Sequence, residues 1–269
     1  MKHFGNDIDY QEIRKSISYK ILVKDLIALG VKEDDTIMVH SSLSSMGHVL
    51  NGAITFIIAL CDVVKKGTVL FPSFSYIETN KNYYYSALKS SCCVGMIPET
   101  FRKLKNVVRS FHPTHSVSAY GKDAVIITKD HILDDTPLGE NSPFRKLIDF
   151  NGKILFLGCG LYCNSFIHAL EEIANVSYVL GEYKTYTMVD ENNNVIKKNY
   201  RVHNFNRENG NIIQMYHKTL EVLDEKDYSV GNVHNALSYL IDVKVLKEKA
   251  LLKLKEDEKY FIDDPCNIL

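Results

Sequence analysis

Arg109, Ser110, His112, Pro113, His115 and Ser116 crowd the eight positions of the segment RSFHPTHS. Such density in a loop favours function over decoration, because loops on a rigid scaffold carry chemistry. A guanidinium suits phosphate oxygens, and an imidazole can move protons or bind a metal. His112 and His115, with His40 elsewhere, do not complete a metal set, since no spacing supplies a third and fourth ligand. The second chemical cluster lies downstream in SFIHALEE. On a helix, Ser165, His168 and Glu171 share one face at three-residue spacing. A carboxylate there fixes the tautomer of the imidazole and raises its basicity, which suits a general base near neutral pH. The hydroxyl of Ser165 and the free N–H groups at the helix start suit a developing oxyanion. The bland alternative makes His168 a core histidine and Glu171 a surface residue. Cys163 and His168, five positions apart near one helix start, are poorly placed as a thiol nucleophile and its base.

These residues need elements to hold them. Helical spacing of Ile13, Ile17, Ile21, Leu22, Leu26 and Leu29 predicts a helix within 9–30. A buried strand at 34–40 runs into the hydroxyl-rich turn 41–45. A helix at 53–64 is followed by a strand at 68–74. Residues 76–91, with Tyr83, Tyr84 and Tyr85, read as a long loop. Next come a helix at 97–104, a strand at 116–119, a short element at 124–128, and a buried strand at 153–157. That strand meets Gly158-Cys159-Gly160, and a helix at 165–174 follows with Asn164 or Ser165 as N-cap. Residues 182–218 read as an antiparallel hairpin about 191–194, and 244–258 as a charged amphipathic helix. The pattern predicts one α/β domain spanning 1–269, with a central mixed, largely parallel sheet flanked by helices and a small antiparallel extension. Three strands end in polar turns, at His40-Ser41-Ser42, Ser73-Phe74-Ser75 and Gly158-Cys159-Gly160. In open α/β sheets ligands bind beyond such carboxyl ends, so one shared crevice is expected. Serine and glycine also populate turns for purely local reasons.

Composition excludes several classes. The 269 residues are 45% hydrophobic and 24% charged with a formal net charge of −1, which offers no attraction to nucleic acid or anionic membrane. No apolar run approaches the roughly 20 residues that span a bilayer, and the N-terminal stretch is too polar for a secretory signal. A cytoplasmic protein is expected, with self-association left open. The cysteines, Cys61, Cys92, Cys93, Cys159, Cys163 and Cys266, form no C-x-x-C pair, and no zinc or other metal is expected. G-x-G-x-x-G and G-x-x-x-x-G-K-[ST] phosphate loops are absent, as is the G-x-S-x-G elbow of serine hydrolases.

Several segments resemble the aminoglycoside 3-N-acetyltransferase family in order and spacing. They are HSSLSSMGHVLNGA, GTVLFPSFS, GMIPETFR followed by RSFHPTHSVSAYG, PLGENSPFRKL, and KILFLGCG with SFIHALEE, spanning about 34–172. The resemblance implies an α/β fold and acetyl transfer from acetyl-CoA to an amino group of an amino sugar. It implies catalytic roles for His168, Glu171 and Ser165. It also implies that His40, Ser41, Ser42, Arg109, Ser110, His112 and Ser116 hold the cofactor. Two departures stand out: Tyr162 where an aspartate is common, and His234 where a glycine is common. Lys184, Lys197, Lys198, Arg201, Arg207 and Lys218, against Glu182, Asp190, Glu191 and Glu208, suit a phosphate-bearing acceptor. The reading that follows is a nucleotide-linked amino sugar as acceptor, with an aminoglycoside as the first alternative. A ligand- or CoA-binding relative without turnover is the second.

Overall fold

The computed structural model describes residues 9–205 and 210–264. Arg207, Glu208 and Cys266 lie outside the described residues. The helices are α1 (Tyr10–Lys15), α2 (Ile17–Leu29), α3 (Ala53–Val63), α4 (Tyr76–Asn82), α5 (Met96–Phe101), α6 (Ala124–Thr128), α7 (Pro143–Asp149), α8 (Phe166–Ala174) and α9 (Val243–Glu256). The strands are β1 (Thr36–Ser41), β2 (Thr68–Pro72), β3 (Tyr84–Ser86), β4 (Val108–Arg109), β5 (Val117–Gly121), β6 (Lys153–Leu157), β7 (Leu180–Val189), β8 (Val195–His203), β9 (Ile213–Gln214), β10 (Tyr228–Val233), β11 (Ala236–Asp242) and β12 (Ile262–Asp263).

A seven-stranded sheet in the order β10-β11-β6-β1-β2-β5-β4 forms the centre. β1 pairs in parallel with both β2 and β6, and antiparallel pairs flank this trio. β10, β6, β1, β2 and β4 therefore run one way, and β11 and β5 the other. The expected largely parallel α/β sheet is present. Its central strands are buried on both faces, which is why they are apolar without alternation. Ile37, Val39, Val69, Phe71, Leu155 and Leu157 face a core built with α2, α3 and α5. Met38, Leu70, Ile154 and Phe156 face the other core, with α7, α8 and α9. The period of two puts His40 on the same side as Met38, toward α7 and α8.

Local chemistry fixes the helix ends. The Ser16 hydroxyl accepts from Tyr19 N and splits the predicted first helix into α1 and α2. Ser142, followed by Pro143, caps α7, and the Asp242 carboxylate accepts from Lys244 N and Val245 N at the start of α9.

The small antiparallel extension is the β7–β8 hairpin, whose turn is closed by Asp190 accepting from Asn192 N and Asn194 N. β3 adds to its edge in parallel with β7. This corrects the expectation of a loop at 76–91, which contains α4 and β3. Tyr85 is buried with Tyr186, Met188 and Tyr200 in a third, small core, while Tyr83 and Tyr84 are exposed. The β10–β11 hairpin was not expected either. His234 takes the left-handed turn between its strands (φ 52°), with its N–H donating to Asp25 and Nδ1 2.6 Å from Met46 O.

Candidate active site

The carboxyl ends of β1 and β2, the start of α8 and the end of β8 surround a cavity of about 490 Å³, a size suited to a small ligand. His168 opens into it from the first turn of α8. Its Nδ1 lies 3.1 Å from Glu171 Oε2 and 2.6 Å from the Tyr216 hydroxyl. Tyr216 also donates to Glu171 Oε2 at 3.0 Å, and Tyr178 donates to Oε1 at 2.8 Å. The carboxyl group is wholly buried, and that burial pushes it up to about 8. Burial pushes the His168 imidazole down to about 3. Both directions disfavour separated charges, so the resting contact is a neutral hydrogen bond with an unprotonated Nε2.

A second imidazole–carboxylate couple sits beside the first. His203 Nε2 is 3.2 Å from Glu172 Oε1, and its ring centroid is 4.6 Å from that of His168. Glu172 accepts from Thr136 Oγ1 and Leu138 N, with an Arg145 guanidinium nitrogen 3.7 Å away. Burial pushes the Glu172 carboxyl up, but the bonds from His203, Thr136 and Leu138 outweigh it and hold the group below its ordinary value. His115 completes the wall, its ring 4.6 Å from Phe74 and 4.8 Å from His203.

Ser165 lines the same cavity, and its hydroxyl has a 3.5 Å contact to Cys163 O. It stands at the N-cap position, yet the capping side chain is Asn164, whose Oδ1 accepts from Phe166 N. Ile167 N donates to Asn164 O. Those two N–H groups of α8 are therefore engaged, contrary to expectation, and Ser165 is the polar group left facing the cavity there.

The residues expected to hold the cofactor divide into two sets. His40 and Ser41 line the cavity; His40 stacks on Phe156, and His40 Nε2 and Ser41 Oγ are buried without a partner among the described residues. Ser41 and Ser42 also line an adjoining open groove with Leu43, Ser44, Gly95, Met96, Gly158 and Cys159. Arg109, Ser110, His112 and Ser116 line neither space. Arg109 donates to the carbonyls of Ala87, Ser90 and Ser73 and to Ser116 Oγ, over the ring of Tyr85. Ser110 Oγ accepts from Val117 N and contacts His131 Nδ1. His112 Nδ1 accepts from Thr114 N and His115 N, and Ser116 donates to Ser73 O. The signature is a clasp joining chain segments behind the wall. A guanidinium whose donors are engaged by buried carbonyls is not presented to a phosphate.

Four of the described basic residues of 182–218 are likewise engaged within the fold, while Lys197 is exposed. Lys198 donates to Ile132 O and Asp134 O, Arg201 to Leu180 O and Gly181 O, and Lys218 to Tyr260 O, while Lys184 pairs with Glu182. None of them lines the cavity. Tyr162, exposed at its mouth, packs on His217. Cys163 borders both spaces, and its thiol is drawn down to about 7 by Cys159, whose own thiol is pushed up. Among the described residues no group of three or more His, Cys, Asp or Glu is placed to hold a metal. None of the described helices is long and apolar enough to cross a membrane.

Tyr178, His203, Glu172 and Tyr216 were not found from the sequence. Glu172, beside Glu171, carried the one local signal: a second carboxylate on the helix of His168.

Residues 38–253 match the family model described as aminoglycoside 3-N-acetyltransferase. Aminoglycoside N(3)-acetyltransferase VII of Streptomyces paromomycinus is 33% identical over 173 residues, covering 57% of this chain and 60% of that protein. The match thus spans less than two thirds of that relative's length. Aminoglycoside N(3)-acetyltransferase IV of Salmonella sp is 27% identical over 91% of this chain and 90% of that one. Among solved structures, a histidine-to-alanine mutant of aminoglycoside acetyltransferase AAC(3)-IVa in complex with gentamicin superposes with a TM-score of 0.78. It is 26% identical, covering 97% of this chain and 95% of that chain. AAC-IIIb in binary complex with CoASH gives 0.75 at 26% identity, covering 88% and 96%. With a family model matched across most of its length, the chain belongs to the aminoglycoside 3-N-acetyltransferase family.

Proposed function

We propose that this chain, acting as one catalytic domain, transfers the acetyl group of acetyl-CoA to an amino group of an aminoglycoside. The observation that carries the reading is His168, opening into the cavity with Nδ1 tied to Glu171 and Tyr216. The relatives' activity and the gentamicin and CoASH complexes of solved family members support it. The nucleotide-linked acceptor loses its support, because Lys184, Lys198, Arg201 and Lys218 bind backbone carbonyls or pair with an acid, and none of these four lines the cavity.

The groove of Ser41, Ser42, Gly158 and Cys159 adjoins the cavity and suits the CoA arm, with Ser41 Oγ and His40 Nε2 as unpartnered polar atoms at the seam. CoA supplies an activated thioester; the chain supplies orientation and proton transfer. His168 Nε2 takes the proton that the attacking amine must lose. As it does so, the Nδ1–H stays held by Glu171 Oε2, which stabilises the imidazolium that forms, and the Tyr178 and Tyr216 hydroxyls remain on the same carboxyl group. Ser165 presents its hydroxyl to the oxygen on which charge develops.

The test is thiol release from acetyl-CoA against a panel of aminoglycosides and nucleotide-linked amino sugars, with the wild type and His168→Ala. Aminoglycoside turnover is expected, with His168→Ala reducing kcat by roughly 10²-fold or more while CoA binding persists. Release with nucleotide-linked sugars alone, or unchanged turnover in the variant, would overturn it.

A further inference from the structure

Acetylation of an amine at neutral pH requires two deprotonations. The ammonium must lose one proton to become a nucleophile, and the nitrogen loses another once the C–N bond has formed. A single base must discharge between these steps. Of the four imidazoles that line the cavity, two, His168 and His203, each have their own carboxylate. Their side chains are equally open, at 10% exposure each, and their ring centroids are 4.6 Å apart.

We propose that His203, held by Glu172, is the second base of the site and takes the first proton from the acceptor ammonium. The inference rests on the acetyltransferase reading above. Glu172 is fixed by Thr136 and Leu138 N and accepts from His203 Nε2, which leaves Nδ1 as the lone-pair nitrogen. Burial lowers the affinity of His203 for a second proton, so the ring starts neutral with its proton on Nε2. The groups around it are His168, Glu171 and Glu172 from α8, His115 and His112 from the clasp, Tyr216 beside His168, and Arg145 behind Glu172. Glu172 is the ionised partner and Glu171 the neutral one, so the two couples are not equivalent.

The steps balance. The ammonium gives one proton to His203 Nδ1, and the free amine forms the C–N bond. The second nitrogen proton passes to His168 Nε2. The C–S bond breaks with its electron pair on sulfur, and His168 returns its proton to the thiolate. The products are an amide, CoA thiol and one proton, which leaves His203 for solvent.

The experiment compares wild type, His203→Gln and His203→Asn with two acceptors: an aminoglycoside, ammonium at neutral pH, and hydroxylamine, which is already unprotonated there. With the aminoglycoside, the variants are expected to lose kcat/KM by roughly 10²-fold at neutral pH and to regain it as the acceptor's amine titrates. With hydroxylamine they are expected to match the wild type. An equal loss with both acceptors at every pH, or no loss, overturns the proposal while leaving the acetyltransferase reading intact. A wild type that releases no thiol with either acceptor overturns both. NMR of nitrogen-labelled histidine in the wild-type protein is a check that needs no variant to fold. His203 is expected to carry its proton on Nε2 alone near neutral pH, and a doubly protonated ring there would also overturn the assignment.

Discussion

Arg109 shows how one side chain can carry a family signature and yet stand behind the site. Its guanidinium reaches three backbone carbonyls and the Ser116 hydroxyl, tying the end of β2 and the turn after β3 to the start of β5. Arg109→Ala removes four donated bonds at once, Ser73 O keeping only the one from Ser116, at a cost on the order of 3 kcal/mol or more. The expected outcome is a large fall in Tm with an unchanged KM for acetyl-CoA when assayed well below it. A raised KM at unchanged Tm would restore the phosphate-binding role. The contrast with His168 is instructive. Ser165, His168 and Glu171 were legible because helical spacing predicts which side chains meet within one turn. Tyr178 approaches from beyond the helix, and His203 and Tyr216 come from β8 and the segment after β9, so only tertiary packing brings them to the dyad. Nothing in a run such as RSFHPTHS says whether its donors face outward to a ligand or inward to carbonyls.

At the scale of elements, the turn after β6 is the tightest point of the site. Gly158 has φ +63°, and a Cβ there would stand 2.5 Å from Ser45 Cβ and 2.9 Å from Ala236 Cβ. Gly160 has φ +67° and ψ 174°, a region open essentially to glycine alone, but a Cβ would meet nothing within 4 Å. Gly160→Ala should therefore cost only its backbone strain, about 1–3 kcal/mol. Gly158→Ala should cost clearly more, because the β1 turn and β11 must also move. Chemical denaturation of the two variants checks the order, and equal losses would mean that the close approach is relieved without cost. The elements that are continuous apolar runs or keep helical spacing, β1, β2, β6, α3 and α8, were readable. β3 and β10–β11 were not, since β3 exists through pairing with β7 and β11 through pairing with β6. A short strand made by a distant partner leaves little trace in its own residues.

The whole molecule carries an unusual number of buried imidazoles. His40, His112, His115, His131, His168 and His203 are all lowered, chiefly by burial, with His40, His131 and His168 near 3. An unfolded histidine binds a proton below about 6.5. Between those values the unfolded chain holds more protons than the folded one, so stability is full above pH 6.5 and falls as pH drops toward 3. Glu171, raised to about 8, and Asp134, raised by burial, act oppositely as pH rises from the unfolded carboxylate values of about 4, but they are two groups against six. Tm is expected to fall steeply from pH 6.5 to 4.5; a flat or rising Tm over that range would count against neutral buried imidazoles. The order in which the chain supplies the sheet has a different consequence, one that belongs to synthesis. β1, β2 and β6 are complete by Leu157 and α8 by Ala174, but β11, which covers the open edge of β6, ends at Asp242. A chain still on the ribosome between those points presents a bare, apolar strand edge beside a half-built active site, the kind of surface that recruits chaperones or mispairs with a neighbouring nascent chain. Slowing translation before β11 has left the ribosome would lengthen that exposure.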